Sequence, residues 1–305
     1  MRIRGLTALK LLLRAALAGL VVLLLAVAAA PRAGAQEIEP YEFTPLPAGT
    51  NLAIGYYIYG HDTEFNIARG PTVKDSGLEA NYGVFRYVHF FNPVGGLPVG
   101  FQIYQIFGSL SAGHIDSERL GSAFGAQTTT LSFFFWPYVN RATQTNVNLT
   151  GFLYPPDGSY DPHSAINIGD NRVRGDVQIG LTQGFGEHLG VDLSFDAMFY
   201  GANNSYPPGY LRLTQDPTYR GQVWANWRWT RAFSTSIGYE GLFGGTQYVN
   251  GFLNGSKTEE QRLRANAALF LTPRLQTMIE LNHDLHVVGG FKQDFGATLR
   301  VLFVF

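Results

Sequence analysis

The chain has 305 residues, no cysteine and a formal net charge of −1, which excludes disulfides and thiolate metal sites and gives no sign of the clustered basic face that nucleic acid requires. Aromatic residues make up 14% of it and glycine supplies 36 residues, while charged residues reach only 15%, against ~25% in ordinary soluble domains. That mixture points to many strands and turns rather than to helices.

At the start, Arg2, Arg4, Lys10 and Arg14 precede an apolar run from Ala15 to Ala30, followed by Pro31-Arg32-Ala33-Gly34-Ala35. A positive start, an apolar middle and an Ala-x-Ala end predict a signal peptide over 1–35, removed before Gln36. The run is short of the ~20 residues of a spanning helix. Its removal leaves 17 Lys and Arg against 23 Asp and Glu, a balance of −6. Residues 36–49 then form a short N-terminal segment on the periplasmic side, and 50–305 a barrel.

Period-two alternation predicts twelve strands, at 50–60, 80–91, 98–108, 123–136, 145–154, 173–184, 189–200, 218–229, 233–243, 260–271, 275–286 and 292–305. Short turns and long polar loops alternate between them, the long ones including 61–79, 155–172, 201–217 and 244–259. That alternation predicts an all-β fold, a closed antiparallel up-and-down transmembrane β-barrel of about 12 strands with short periplasmic turns and long external loops. The eleventh connection, at "VVGG", is short where a long one is expected.

The faces sharpen the reading. From strand seven onward the more apolar phase carries no Asp, Glu, Lys or Arg, and it includes Leu189, Phe195, Trp227, Ile237, Leu263 and Leu281. An outward Arg or Lys at the bilayer midplane costs about 2–4 kcal/mol, so that phase faces lipid and the charged phase lines the lumen. The candidate lumen-lining residues are Asp176, Asp192, Asp196, Arg220, Arg228, Glu240, Arg262, Arg264, Glu280, Asp284 and Arg300. On the milder early strands they are Tyr57, Tyr59, Tyr104, Asn148 and Phe152. One charged wall facing an aromatic, amide-rich wall suits a small amphipathic permeant; alternatively the charges pair across strands and fill the interior. Rings at the short-turn ends, among them Phe90, Phe91, Phe133, Trp136, Trp227 and Phe303, predict an interfacial girdle. The terminal strand, "GATLRVLFVF", ends on Phe305, which resembles the signal read by the barrel-assembly machinery.

Two stretches carry a wider resemblance. "YEFTPLPAGTNLAIGYYIYG" (41–60) resembles the start of the phenol-degradation (MetA-pathway) family of outer-membrane proteins, and "NLTGFLYPPDGSYDPHSAINIGDNRVRGDVQIGLTQ" (148–183) resembles its central segment. The family implies an outer-membrane transporter or channel linked to uptake of aromatic or poorly soluble organic compounds. It offers no catalytic or binding residues to carry over.

Catalysis finds little support. His89 and His283 have no Ser two residues away on the same strand, and geometry comes first for a nucleophile–base pair. His283 and His286 fall on opposite strand faces and cannot share a metal. The expectation is therefore not an enzyme, with no cofactor or metal. It is a channel of the Gram-negative outer membrane whose partners are membrane lipid, the assembly machinery and a small organic permeant. The second reading is a closed barrel whose external loops bind something outside the cell.

Overall fold

Backbone polar groups in lipid must be satisfied within the protein, so a sheet that spans a membrane has to close on itself. The computed structural model describes residues 37–92, 96–207, 209–254 and 259–305, and the expected signal peptide, 1–35, lies outside them. The described residues form strands and no helix. In chain order the strands are β1 (Asn51–Asn66), β2 (Thr72–Val73), β3 (Ser76–Phe91), β4 (Val99–Ile115), β5 (Glu118–Ala126) and β6 (Thr130–Asn140). There follow β7 (Thr145–Tyr154), β8 (Arg174–Phe185), β9 (Leu189–Tyr200), β10 (Asn203–Tyr206), β11 (Leu211–Gln215) and β12 (Thr218–Arg228). The last are β13 (Phe233–Gly244), β14 (Gln247–Val249), β15 (Phe252–Asn254), β16 (Glu259–Thr272), β17 (Leu275–Val288) and β18 (Gly290–Val304).

Twelve of these make the barrel: β1, β3, β4, β6, β7, β8, β9, β12, β13, β16, β17 and β18 are neighbours in that order, and β18 pairs with β1. The closing pair is antiparallel, with Leu52 opposite Val304. At its foot the Asn51 amide donates to the Phe305 carbonyl at 2.9 Å and the Phe305 amide returns the bond at 3.0 Å. The terminal strand is thus half of the seam that closes the cylinder.

Two expectations about strands need correction. The stretch 123–136 is two elements rather than one. β6 pairs with β4 only as far as Thr130 opposite Tyr104, and beyond that β4 folds back onto β5 as a hairpin. β4 projects past the rim formed by β6, and β5 supplies the partner its upper edge needs. The eleventh connection is short because β17 and β18 themselves run long and turn at Gly289 and Gly290, whose φ values of 74° and 93° suit residues without a Cβ.

At the long-loop end, β10, β11, β14 and β15 form a separate four-stranded sheet. Ile166 and Ile168, from the connection between β7 and β8, are buried in the main apolar cluster with Leu110, Leu120, Tyr154 and Phe291. That connection folds inward over the lumen instead of standing out in solvent.

Candidate functional site: the barrel lumen

Strand alternation sends every second side chain into the lumen. On the charged wall the inward residues are paired between neighbouring strands. Arg262 Nε donates to Asp284 at 2.7 Å and Arg264 Nε to Glu280 at 2.8 Å. Glu240 lies 3.7 Å from both Arg220 and Arg264, and Arg262 also contacts Glu260. On β9 and β12, Asp192 accepts from Thr182 and, at 2.6 Å, from Asn226.

The opposite wall, from β1, β3 and β4, is mostly apolar: Ile58, Val84, Ile106 and Leu110 line it with the rings of Tyr56, Tyr82 and Tyr104, and Asp62 and Arg86 are its charged members. Between the walls lies a cavity of about 250 Å³ in the long-loop half. Arg172, Arg174 and Arg220 reach it from the charged side. Two of these sit against aromatic faces, Arg172 over Tyr200 at 4.5 Å and Arg174 over Tyr154 at 4.6 Å.

The N-terminal segment enters the short-turn half. Ile38 and Phe43 are buried with Trp224 in a small apolar cluster inside the barrel. Trp224 Nε1 donates to the Ile38 carbonyl at 3.0 Å, and Trp136 Nε1 to the Phe43 carbonyl at 2.8 Å. The wall is shaped for these rings. A Cβ at Gly180 would stand 2.3 Å from the Phe43 ring, and one at Gly238 2.6 Å from the Trp224 ring, closer than carbon atoms can pack.

Three acids of the segment meet arginines of the wall. Glu37 accepts from Arg262 at 2.9 Å and lies 3.5 Å from Arg264. Glu39 contacts Arg300, lies 3.8 Å from Arg86, and accepts from the Tyr56 hydroxyl at 3.3 Å. Glu42 contacts Arg86. Burial pushes the Glu37 carboxyl up, but Arg264, Arg262 and Arg220 outweigh it and hold the group below its usual value of 4.5. The segment also bonds through its backbone: the Tyr41 amide donates to Asp192 at 2.7 Å.

Of the candidate lumen residues, Tyr104, Asp196, Arg220, Glu240, Arg262, Arg264 and Glu280 border the cavity. Asn148, Phe152, Asp176, Asp192, Asp284 and Arg300 are also buried, on the same faces of their strands. Arg228 sits at the short-turn mouth with its guanidinium 5.3 Å from the Tyr41 ring, beside a second cavity. Tyr57 and Tyr59 are corrected: they face outward. Tyr57 is 49% exposed and bonds Asn81; Tyr59 is half-buried and touches the cavity, but its ring turns away to rest beside the exposed Phe295. The inward positions of β1 are Leu52, Ile54, Tyr56 and Ile58, which are as apolar as the outward set, so alternation alone cannot choose the phase.

Part of the girdle turns in for the same reason. Phe90 and Trp136 are buried in a cluster with Leu52, Ile54 and Phe134, while Phe133, Tyr138, Trp227, Trp229, Phe303 and Phe305 are exposed. The sequence reading also passes over Arg86, Glu37, Glu39 and Glu42. A signal for Arg86 existed, since it is the one charge in the apolar run "YGVFRYVHFF".

With this geometry in view, the relationships of the chain are informative. A family profile described as "Putative MetA-pathway of phenol degradation" matches residues 63–300. The chain belongs to this family. Among solved structures it is similar to the COG4313 outer membrane channel from Pseudomonas putida F1, with 29% identity and a TM-score of 0.84 over 88% of this chain and 100% of that one. The transport unit of the autotransporter AIDA-I from Escherichia coli matches with 9% identity and a TM-score of 0.50, over 93% of this chain and 97% of that one, a likeness of fold alone. No curated protein matches the chain. The twelve-stranded cylinder of this family member is therefore the fold of an outer-membrane channel.

Proposed function

We propose that this protein is an outer-membrane channel for small amphipathic organic molecules, aromatic ones among them, which cross through the lumen without an energy source. The observation that carries the reading is the 250 Å³ cavity with an apolar wall on one side and arginines on the other. An aromatic ring with a polar or anionic substituent meets both walls at once, whereas a sugar leaves the apolar wall unpartnered and an alkane leaves the arginines so. The similarity to a known outer membrane channel at 29% identity supports the same reading.

In this account the protein is exported by residues 1–35, inserted by the assembly machinery through its terminal strand, and set with its short turns in the periplasm. A solute enters from the outside, lodges in the cavity and passes when the N-terminal segment yields. Liposome swelling tests it. Vesicles carrying the refolded chain 36–305 should swell faster in phenol or benzoate than in an uncharged sugar of similar size. Equal rates for all solutes would contradict the selectivity, and no swelling above empty vesicles would contradict the channel.

A further inference from the structure

Four wall arginines meet the acids of the N-terminal segment, but they are not equivalent. Arg262 and Arg264 also pair with wall acids, Asp284, Glu260, Glu280 and Glu240. Arg86 and Arg300 do not. Arg86 contacts Glu39, Glu42, Gln102 and Tyr56, and Arg300 contacts Glu39 and Gln276. Among the described residues, the only carboxylates within reach of these two guanidiniums belong to the segment.

Both guanidiniums converge on one atom. Oε2 of Glu39 contacts Nη1 of Arg300 and lies 3.8 Å from Nη1 of Arg86, and the Tyr56 hydroxyl donates to it at 3.3 Å. Two guanidiniums and a phenol around a single oxygen are the elements of a carboxylate clamp. Arg300 also keeps its Nε buried and unbonded, a donor that Glu39 does not use. Arg86 and Arg300 are 7% exposed, so the clamp is built into the barrel and not formed by mobile surface groups.

The Arg86 and Tyr56 side of the clamp opens onto the cavity. Glu39, Tyr56 and Arg86 border it together with Ile58, Val84, Tyr104 and Ile106. A group held where the Glu39 carboxylate now sits would carry its body up along that apolar wall. The Arg86 guanidinium itself lies 4.9 Å from the centre of the Tyr104 ring, leaving an aromatic surface next to the charge.

We propose that Arg86, Arg300 and Tyr56 form a binding site for the carboxylate of a small aromatic acid, and that Glu39 is its tethered competitor. As the acid-recognition subsite of a permeation path, it rests on the channel reading above. An incoming carboxylate takes over the counter-charge that Glu39 provides, so the segment can leave without stranding two buried cations. A neutral ligand cannot make that exchange. The site thereby couples the arrival of an acid to release of the segment that fills the path.

Benzoate is the probe, with benzamide as its neutral counterpart. The chain 36–305 in detergent micelles reports on itself, because Trp136 and Trp224 bond the backbone of the segment at Phe43 and Ile38 and their emission changes when it leaves. A tethered group acts at an effective concentration on the order of millimolar or above, so Glu39→Ala should tighten benzoate binding by about tenfold or more. Benzamide should bind wild type and variant alike. Glu39→Gln, which keeps the size of the side chain, guards against a packing defect and should tighten benzoate in the same direction. Adding Arg300→Gln to Glu39→Ala should remove the gain.

Unchanged benzoate affinity in both Glu39 variants overturns the proposal, and so does an equal gain for benzamide. Solute flux through the same proteins separates this site from the channel reading. Tighter benzoate binding without flux keeps the site and removes the channel. Flux with no difference in benzoate affinity between wild type and Glu39→Ala keeps the channel and removes the site.

Discussion

Phe43 and Glu37 hold the segment by different forces, and substitutions separate them. Burying a Phe side chain contributes about 1.5–3 kcal/mol, and the bare backbone of Gly180 is what admits it. In Gly180→Ala the new methyl group would meet the ring at 2.3 Å, so the ring must leave its seat. We expect the segment to lose most of that stabilisation while the barrel stays folded, seen as a red shift of Trp136 and Trp224 emission with unchanged β-sheet circular dichroism. Glu37 acts through charge. Its folded-state value lies below the ordinary 4.5, so its contribution to docking is complete above that pH and is lost as pH falls through the depressed value. The emission of Trp224 should therefore be constant from pH 7 down to about 5 and shift only in stronger acid. A shift centred near neutrality would show that another group controls docking.

At the same scale the limits of the sequence are clear. Asp192, Glu240, Arg262 and Asp284 could be placed inward because each stands in a strand whose other face is free of charge. Arg86 could have been placed by the same logic, since a lone arginine in an apolar strand has nowhere to go but the lumen. Glu39 could not. Nothing local says that an acid in "EIEPYEF" will meet an arginine 261 positions away on the final strand.

Strands were legible to the degree that their two faces differ. The bounds of β7, β9 and β13 fall within about a residue of those read from alternation, because lipid on one side and a more polar lumen on the other impose period two. β1 is the exception: Leu52, Ile54, Tyr56 and Ile58 pack inside against the segment and the cavity, so both faces are apolar and alternation does not tell that the rings of Tyr57 and Tyr59 turn outward. β5 was hidden because a hairpin projecting beyond the rim has no lipid face to mark it. β17 offers a direct test of phase. Leu281 is outward and 44% exposed, whereas Asn282 borders the cavity. Leu281→Arg should destabilise the inserted barrel by about 2–4 kcal/mol and reduce the heat-resistant folded band on unheated gels. Asn282→Ala should leave that band intact. If both or neither lost it, the phase of β17 would be wrong.

As a whole, the molecule answers a geometric question about size. Eight strands leave an interior that side chains just fill, and sixteen to eighteen leave an aqueous channel. Twelve lie between the two. Here the long-loop half keeps one cavity, and the short-turn half is occupied by the N-terminal segment with a second cavity at its mouth. That segment docks by an apolar anchor in a glycine socket and by carboxylates on wall arginines; in the proposed channel those are the contacts that a solute would replace. The seam between β1 and β18 sets the segment's position, since Asn51 is bonded to Phe305 directly after it.

Planar-bilayer recording tests the central claim most directly. Single-channel conductance of the chain 36–305 would be compared with that of Gly180→Ala, each before and after benzoate is added on the long-loop side. The expected result is small, infrequent steps for the wild type that become more frequent once benzoate displaces Glu39, and larger, more frequent steps for Gly180→Ala that benzoate shortens as it occupies the lumen. A folded Gly180→Ala barrel, with its segment released by tryptophan emission and no conductance above the bare bilayer, would contradict a lumen path gated by the segment.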